Sequence, residues 1–476
     1  MTKSHWHGIS RRGFLATGLA AGGGGALSGS GPAARQTPRD APRGGRLLLK
    51  GACVLTLDPA VGDFDRADVL IDGSTIAAVQ PDLTAASQVI DASDTIVMPG
   101  FVDTHRHMWQ GALRHILPDG LLADYGRDIT GTARAVYRPA DAHIGNVVTA
   151  LGAINAGVTT VLDWSHIGNS PEHTDAAIDA LREAGIRAVY ACGGGTAGPL
   201  NRFPDDIRRL RKDRFASDDQ LLTLAMAAGL NPEHWAVARA VNAPITVHVN
   251  GTNQLLPLAS SMGPDVTCIH CCNLSANEWQ LIAKTGSHVS IAAPVEMMMG
   301  HGIPPIQPAL DHGIRPSLSV DVETGMSGDM FNQMRAVLTL QRMQILARRQ
   351  NDEPGVPPLL TVRDVLELAT IQGARDTALD RKVGTVTPGK QADLLLLRRD
   401  RINVLPVNDA TGAVVMGMDT SNVDGVFIAG RVRKWHGELV DVDLAHVRRL
   451  VEASREHILA RAGWPKTLVG RGRAGR

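Results

Sequence analysis

The chain has few cysteines, no surplus of either charge and no long uninterrupted hydrophobic run. Five cysteines occur in 476 residues, and an odd count without small-domain spacing excludes a disulfide scaffold, so we expect buried free thiols. Lys plus Arg equals Asp plus Glu at 48 each, which predicts no binding of nucleic acid. The run from Ala16 to Leu27 is too short and too rich in glycine for a permanent span, so we expect no membrane insertion.

The sequence does contain enough apolar residues for a large core and an N-terminal export motif. Hydrophobic residues make up 44% and charged residues 20%, as is typical of a globular enzyme with one large and one smaller domain. The segment from Ser10 to Leu15 contains the pair Arg11-Arg12 and is typical of a twin-arginine signal. We therefore expect export to the periplasm or the medium, or a cytoplasmic protein if the signal is not functional.

Hydrophobic patterning divides the chain into five parts. Residues 1–46 are a signal and linker, and residues 441–476 are a C-terminal helix over Leu444 to Ala462 with a basic tail. Short alternating runs in 47–97 and 384–440 predict strands that are too few to make separate cores, so we expect one discontinuous β-sandwich. Residues 98–383 alternate eight strand-like runs with helical stretches, which predicts an α/β fold, a (β/α)8 TIM barrel. The eight runs are 101–107, 158–164, 188–192, 222–227, 245–249, 266–270, 288–292 and 317–321.

Two histidines separated by one residue close the first of these runs. His105 and His107 follow an apolar stretch ending in Met98-Pro99-Gly100. Because side chains alternate along a strand, both imidazoles point to the same side. Two neutral imidazoles directed at one point suit a divalent metal. This motif predicts half of a metal site.

Three later runs also end in a side chain that can act on a metal or a proton. His248 closes the fifth run, His270 the sixth and Asp321 the eighth. The carboxyl ends of barrel strands meet at one face, so His105, His107, His248 and Asp321 are expected to bind one cation. Zinc is the first choice for that donor set, and iron or manganese also fit. Asp321 would accept a proton from water, and His270 would polarise the substrate.

Further polar and aromatic residues near predicted strand ends are candidates for contacts with the substrate. For each of them ordinary packing in a loop is the alternative. The candidates are Trp109, Gln110, His166, Glu296 and His301.

With these residues in place, the chain resembles the amidohydrolase superfamily, in the branch that includes cytosine deaminase-like and chlorotriazine hydrolase-like enzymes. The resemblance spans Leu47 to Leu439 and includes the motif from Pro99 to His107, the three later strand ends and the segment from Gly384 to Leu395. It implies the same four ligands and the same catalytic pair, His270 and Asp321. The fourth strand has no lysine, which implies one metal ion.

One departure from the family pattern concerns the proton shuttle of its deaminases. They usually carry a glutamate three residues after the histidine of the fifth strand, and here Gly251 stands at that position. Either the reaction does not need this acid, as in amide or lactam hydrolysis, or another acid replaces it. Glu296 and Glu323 are the candidates, each with an alternative role at the surface or behind the site.

The leading hypothesis is a mononuclear metal-dependent amidohydrolase that cleaves a C–N bond of a cyclic or amide-containing small molecule with activated water. A deaminase of a nucleobase-like heterocycle and a lyase or decarboxylase on the same scaffold are the alternatives. A small-molecule substrate is the expected partner. A homo-oligomer is compatible with the C-terminal helix.

Overall fold

A computed structural model describes residues 41–42 and 44–468. The predicted signal, with Ser10 to Leu15, lies outside the described residues. Five strands precede the barrel: β1 Arg46–Val54, β2 Phe64–Asp72, β3 Thr75–Gln80, β4 Gln88–Asp91 and β5 Thr95–Pro99. Eight form it: β6 Phe101–Arg106, β7 Val158–Ser165, β8 Arg187–Cys192, β9 Leu222–Ala228, β10 Ile245–Val249, β11 Val266–His270, β12 His288–Ile291 and β13 Ser317–Leu318. Four follow: β14 Leu394–Arg398, β15 Val423–Ile428, β16 Arg431–Trp435 and β17 Glu438–Leu439.

Helices connect the barrel strands and cover them from outside. The α-helices are α1 Leu122–Tyr125, α2 Arg134–Val136, α3 Pro139–Asn155, α4 Pro171–Ala184, α5 Asp206–Asp213, α6 Pro232–Arg239, α7 Ala276–Thr285, α8 Ala293–Met298, α9 Ile306–Asp311, α10 Met330–Gln350, α11 Val362–Glu367, α12 Gly373–Asp376, α13 Ala410–Gly412 and α14 Leu444–Ala462. Short 3-10 turns cover Met108–Leu113, Leu256–Ser261 and Thr420–Asn422, and π-helical segments cover Gly126–Ala133, Leu368–Gln372 and Ala413–Gly417. In the described part of the chain, no helix combines the length and apolar character needed to cross a membrane.

The N- and C-terminal strands build one mixed sheet, which confirms the predicted assembly from two distant segments. Its order is β17-β16-β15-β14-β5-β1-β2-β3, with β4 paired to β1. β14 joins the two segments through an antiparallel ladder with β5. All nine strands belong to one hydrogen-bonded sheet. The structure therefore differs from the predicted sandwich in that its layers are not separate sheets. A buried core lies on this sheet, with Leu47, Val69 and Phe427 among its members.

The eight barrel strands are parallel and lie in chain order from β6 to β13, as predicted for a TIM barrel. All six residues of β6 are buried, although only Phe101 and Val102 among them are apolar. The barrel closes just beyond the strand ends: the Asp321 N–H donates to the His105 carbonyl at 2.8 Å, and the His107 N–H donates to the Asp321 carbonyl at 2.9 Å. The closing hydrogen bonds thus involve three of the predicted site residues.

Local signals explain several element boundaries. α7 begins with a capping box between Ser275 and Glu278, and α4 ends at Gly185 in the left-handed conformation, as predicted. The predicted eighth strand is shorter than expected, because the ladder of β13 stops at Leu318 and Asp321 has φ +66°. α14 covers Leu444–Ala462 as predicted. All five cysteines are free and buried, which confirms the expectation of unpaired thiols.

Candidate active site

The four predicted ligands converge at the carboxyl ends of the barrel strands. The Nε2 atom of His105 lies 3.0 Å from Oδ1 of Asp321 and 3.2 Å from Nε2 of His248. The Nε2 atom of His107 lies 3.2 Å from the same Asp321 oxygen. A tetrahedral ion with four ligands at about 2.0–2.2 Å separates neighbouring ligand atoms by roughly 3.3–3.6 Å. The observed distances are close to the edges of such a tetrahedron.

The protonation of these groups also fits a metal site. Burial lowers the pKa of His105 to about 3 and the pKa of His248 well below its usual value, so both rings are neutral at neutral pH. Burial would raise the pKa of Asp321, but its close contacts with the His105 and His107 rings hold that pKa well below its ordinary range. Three imidazole nitrogens and one carboxylate oxygen are a donor set that zinc accepts, and iron or manganese accept it too.

The backbone behind His107 orients its ring. Its Nδ1 atom lies 2.9 Å from the carbonyl oxygen of Trp164, an acceptor, so Nδ1 carries the proton and Nε2 presents its lone pair. The Nδ1 atom of His105 is buried and has no hydrogen-bond partner among the described residues. A hydrogen bond to a backbone carbonyl is the usual way in which a protein fixes the tautomer of a metal-binding imidazole.

Two site residues have a strained backbone. His270 has φ +68° and Asp321 has φ +66°, in the left-handed region that side chains with a Cβ avoid at a cost on the order of 1–3 kcal/mol. Both residues come at or just after the end of a strand, where the chain turns away from the barrel. The strain places both side chains at the mouth of the barrel, with His270 Nε2 3.8 Å from Asp321 Oδ2.

His270 is supported from behind by Glu296. The Glu296 Oε1 atom accepts a hydrogen bond from the Ala292 N–H at 2.9 Å and lies 3.2 Å from His270 Nδ1. Burial would lower the pKa of His270, but the Glu296 hydrogen bond and the Asp321 charge outweigh it and raise that pKa. Glu296 therefore positions His270 and is not among the residues that line the cavity, where the sequence predicted it as a substrate contact.

A cavity of about 620 Å³ opens over these groups, a size suited to a small organic molecule. His166 and His301 line it, as the sequence predicted for substrate contacts, together with Trp164 and the metal-site residues His107, His248 and Asp321. Several lining atoms are buried without a hydrogen-bond partner: both ring nitrogens of His301, Trp164 Nε1 and Asn250 Oδ1. Unsatisfied polar atoms on a cavity wall are groups that a bound molecule can satisfy.

Trp109 and Gln110 lie behind the cavity wall, contrary to the prediction. After His107 the chain enters the 3-10 turn Met108–Leu113, which packs closely on α3. A Cβ atom at Gly145 of α3 would lie 2.1 Å from the Trp109 carbonyl oxygen. The Trp109 indole is buried, and its Nε1 donates to His166 Nδ1 at 3.3 Å. Gln110 donates to the hydroxyl of Tyr125. Both residues support the wall from its far side.

Sequence reasoning missed other lining residues. Tyr125 and Arg134 reach the cavity from the helical segment between β6 and α3, and Phe203 and His234 lie on the opposite side of the barrel mouth. These residues follow no strand and form no short motif, so no signal in the sequence distinguishes them from ordinary loop residues.

The missing glutamate has no counterpart in the cavity. Gly251 N–H and Asn250 N–H both donate to the side chain of Gln254. Glu278 accepts hydrogen bonds from the Asn253 and Leu255 N–H groups of the same loop, but it does not line the cavity. Glu323 is bound to Arg106 at 2.6 Å and to Arg114, away from the cavity. Among the described residues, Asp321 is the sole carboxylate that lines the cavity.

The parallel barrel and the histidine-rich donor set together define a metal-dependent hydrolase of the barrel class. The model of the amidohydrolase family matches residues 96–433, and the chain belongs to this family. That membership confirms the predicted resemblance and the predicted class of enzyme, a hydrolase acting on carbon–nitrogen bonds.

Named relatives and solved structures agree with this assignment. The chain is 25% identical over 443 residues to a 5'-deoxyadenosine deaminase of Methanosarcina barkeri, covering 87% of this chain and 99% of the relative. It is 25% identical over 398 residues to a 5-methylthioadenosine/S-adenosylhomocysteine deaminase of Thermococcus kodakarensis, covering 78% and 90%.

The fold is that of a zinc-bound adenosine deaminase from Xanthomonas campestris, with a TM-score of 0.74, 20% identity and coverage of 88% and 100%. A zinc complex of an atrazine chlorohydrolase from Arthrobacter aurescens gives a TM-score of 0.74, 22% identity and coverage of 86% and 100%.

Proposed function

We propose that this protein is a mononuclear zinc-dependent hydrolase that cleaves a C–N bond of a cyclic or amide-containing small molecule. The observation that carries the proposal is the convergence of three imidazole nitrogens and one carboxylate oxygen beneath the cavity. His105, His107, His248 and Asp321 would hold the ion. When bound, a divalent ion would lower the pKa of water and polarise the bond to be cleaved.

Asp321 is placed to move the protons of the reaction. Its Oδ1 faces His105 and His107, whereas its Oδ2 faces His270 at 3.8 Å. The lowered pKa keeps Asp321 ionised, so it can accept the proton of an attacking water. Because no second carboxylate lines the cavity, Asp321 would also return this proton to the departing nitrogen.

His270 would stabilise the oxygen on which negative charge develops. Its Nδ1 is held by Glu296, and its Nε2 lies on the side of Asp321 and the cavity. A donor in this position would form its strongest hydrogen bond when the attacked carbonyl oxygen gains charge.

The absence of a separate acid favours an amide or lactam as substrate. Hydrolysis of such a bond needs one proton transferred from water to nitrogen, which a single carboxylate can relay. Deamination of a heterocycle is the second candidate, because the two relatives named above are deaminases. It would require a neutral cavity group, such as His166 or His301, to assist at the ring nitrogen.

Product analysis tests both candidates. The purified full-length protein loaded with zinc is incubated with lactams, N-acyl amines, nucleobases and triazines, and products are identified by mass spectrometry with an assay for ammonia. We expect ring opening or amide cleavage that is lost in Asp321→Asn and retained in Asp424→Asn, a control in the small sheet. Ammonia release from heterocycles alone would establish the deaminase. No turnover of any compound by a protein that holds zinc would contradict the hydrolase.

We also propose export by the twin-arginine route, on the strength of the motif from Ser10 to Leu15. Cell fractionation of the wild type and of a double variant, Arg11→Lys with Arg12→Lys, tests it. Retention of only the variant in the cytoplasm supports export. Equal cytoplasmic retention of both proteins contradicts it.

A further inference from the structure

One helical segment contributes a whole wall of the cavity. It runs through α1, the π-helical residues Gly126–Ala133 and α2, and Leu122, Tyr125, Thr130 and Arg134 from it line the cavity. The spacing of three to five residues places these side chains on one face of the segment. A π-helical stretch inside a helix is uncommon and is frequent at functional sites. This wall is therefore a candidate for recognition of the substrate.

Arg134 is the sole arginine or lysine among the lining residues, and its charge is not compensated by a carboxylate. Its Nε is buried without a hydrogen-bond partner, and its Nη1 lies 3.5 Å from the carbonyl oxygen of His166. Among the described residues, no carboxylate forms an ion pair with it. The two most buried arginines differ in this respect, since Arg106 pairs with Asp103 and Arg187 with Asp393. A half-buried guanidinium stays charged at neutral pH, so an unpaired one is costly.

Tyr125 beside it offers a second donor. Nδ1 of His166 lies 3.3 Å from both the Trp109 indole nitrogen and the Trp164 carbonyl oxygen, and its Nε2 lies 3.4 Å from the Tyr125 hydroxyl. Gln110 also donates to this hydroxyl. Burial raises the pKa of Tyr125, so the phenol keeps its proton. Tyr125 lines the cavity, so its hydroxyl can donate to a bound molecule.

We infer that Arg134 and the Tyr125 hydroxyl bind an anionic group of the substrate, and that this group is a carboxylate. The planar guanidinium suits a carboxylate. The other lining residues of this wall, Leu122, Gly126 and Thr130, carry no charge. The substrate class is then a small cyclic or acyl amide that carries a carboxylate away from the bond cleaved. This inference rests on the proposed function for the reaction, but the binding of the anion can be tested without turnover.

The test measures binding of unreactive probes by isothermal titration calorimetry to the full-length protein as purified. The probes are pairs of ring carboxylates and their carboxamides, such as nicotinate with nicotinamide and benzoate with benzamide. In the wild type we expect at least one carboxylate to bind tenfold to hundredfold more tightly than its amide, roughly the effect of a charge-assisted hydrogen bond. Arg134→Met should abolish this preference, and Tyr125→Phe should reduce it by roughly threefold to tenfold.

A matched control separates this effect from a general loss of arginine. Arg433 also has a buried Nε without a hydrogen-bond partner, but it lies in β16 and does not line the cavity. Arg433→Met should keep the preference. A carboxylate bound by a metal would keep its affinity in Arg134→Met, which would overturn the inference. So would equal affinities within every probe pair in the wild type. A carboxylate preference that is lost in Arg134→Met, without turnover of any compound in the product screen, would support Arg134 as the anion site and contradict the hydrolase.

Discussion

Arg106→Met tests how the closing seam of the barrel supports the metal site. Arg106 is fully buried, and its Nε lies 2.6 Å from Asp103 Oδ2 while its Nη1 lies 2.6 Å from Glu323 Oε1. Asp103 in turn accepts hydrogen bonds from the N–H groups of His105 and Val320. The guanidinium thus links the strand that carries the first two histidines to the segment around Asp321.

The magnitude of the effect follows from burial. Removing one partner of a buried ion pair costs about 3–5 kcal/mol, because it leaves an uncompensated charge. At roughly 2.1 cal/mol/K of unfolding entropy per residue, a chain of this size loses about 1 °C of Tm for each kcal/mol. We therefore expect Tm to fall by about 3–5 °C. Loss of support behind metal ligands should also weaken zinc binding by about 10–100-fold.

Arg187→Met is the matched control. Arg187 and Asp393 form an equally buried ion pair that joins the barrel to the small sheet. Both residues are far in sequence from the proposed metal ligands. Both variants are compared by circular dichroism melting and by competition for zinc with a chromogenic chelator. Similar losses of Tm are expected, with weaker zinc binding in Arg106→Met alone. Unchanged zinc affinity in Arg106→Met, or an equal loss in both variants, would refute the supporting role of the seam.

Three further outcomes are expected. Asp321→Asn should lower turnover by at least about a hundredfold, measured by product formation at saturating zinc, since it removes the proposed base. Glu296→Gln should lower kcat about tenfold or more at unchanged zinc content, because it acts through His270; a loss of bound zinc would contradict this. The hydrogen bond that His288 donates to the Asp376 carboxylate raises the pKa of His288. This pair therefore stabilises the fold fully below about pH 6.5 and loses its contribution as pH rises through the raised pKa. His288→Gln should flatten the fall of Tm over that range, and an identical Tm–pH curve for the variant would contradict the assignment.

The metal site was accessible to sequence reasoning because regular structure places its residues. Alternation along β6 brings His105 and His107 to one side, and parallel strands in chain order bring His248, His270 and Asp321 to the same end of the barrel. These placements depend only on the alternation of side chains along a strand and on the order of the parallel strands. They hold even where a boundary was misjudged, as for the eighth strand.

The cavity wall was not accessible in the same way, since loop conformation depends on contacts that have no short pattern. Trp109 and Gln110 follow the histidines in sequence, but the close approach of the chain to Gly145 turns them away from the cavity. Glu296 contacts His270 and not the cavity, because α8 starts at the end of β12 and directs the carboxylate to that ring. Arg134 lies in the helical segment between β6 and α3. Residue propensities do not predict the π-helical stretch in that segment.

We expect three histidines and Asp321 to hold one metal ion. Elemental analysis of the purified full-length protein, after zinc reconstitution and gel filtration, tests it most directly, with His248→Ala and His312→Ala compared in parallel. His312 lies after α9, exposed in part and outside the cavity. We predict about one zinc per chain in the wild type and in His312→Ala, and little zinc in His248→Ala. No bound metal in the reconstituted wild type, or full zinc content in His248→Ala, would contradict it.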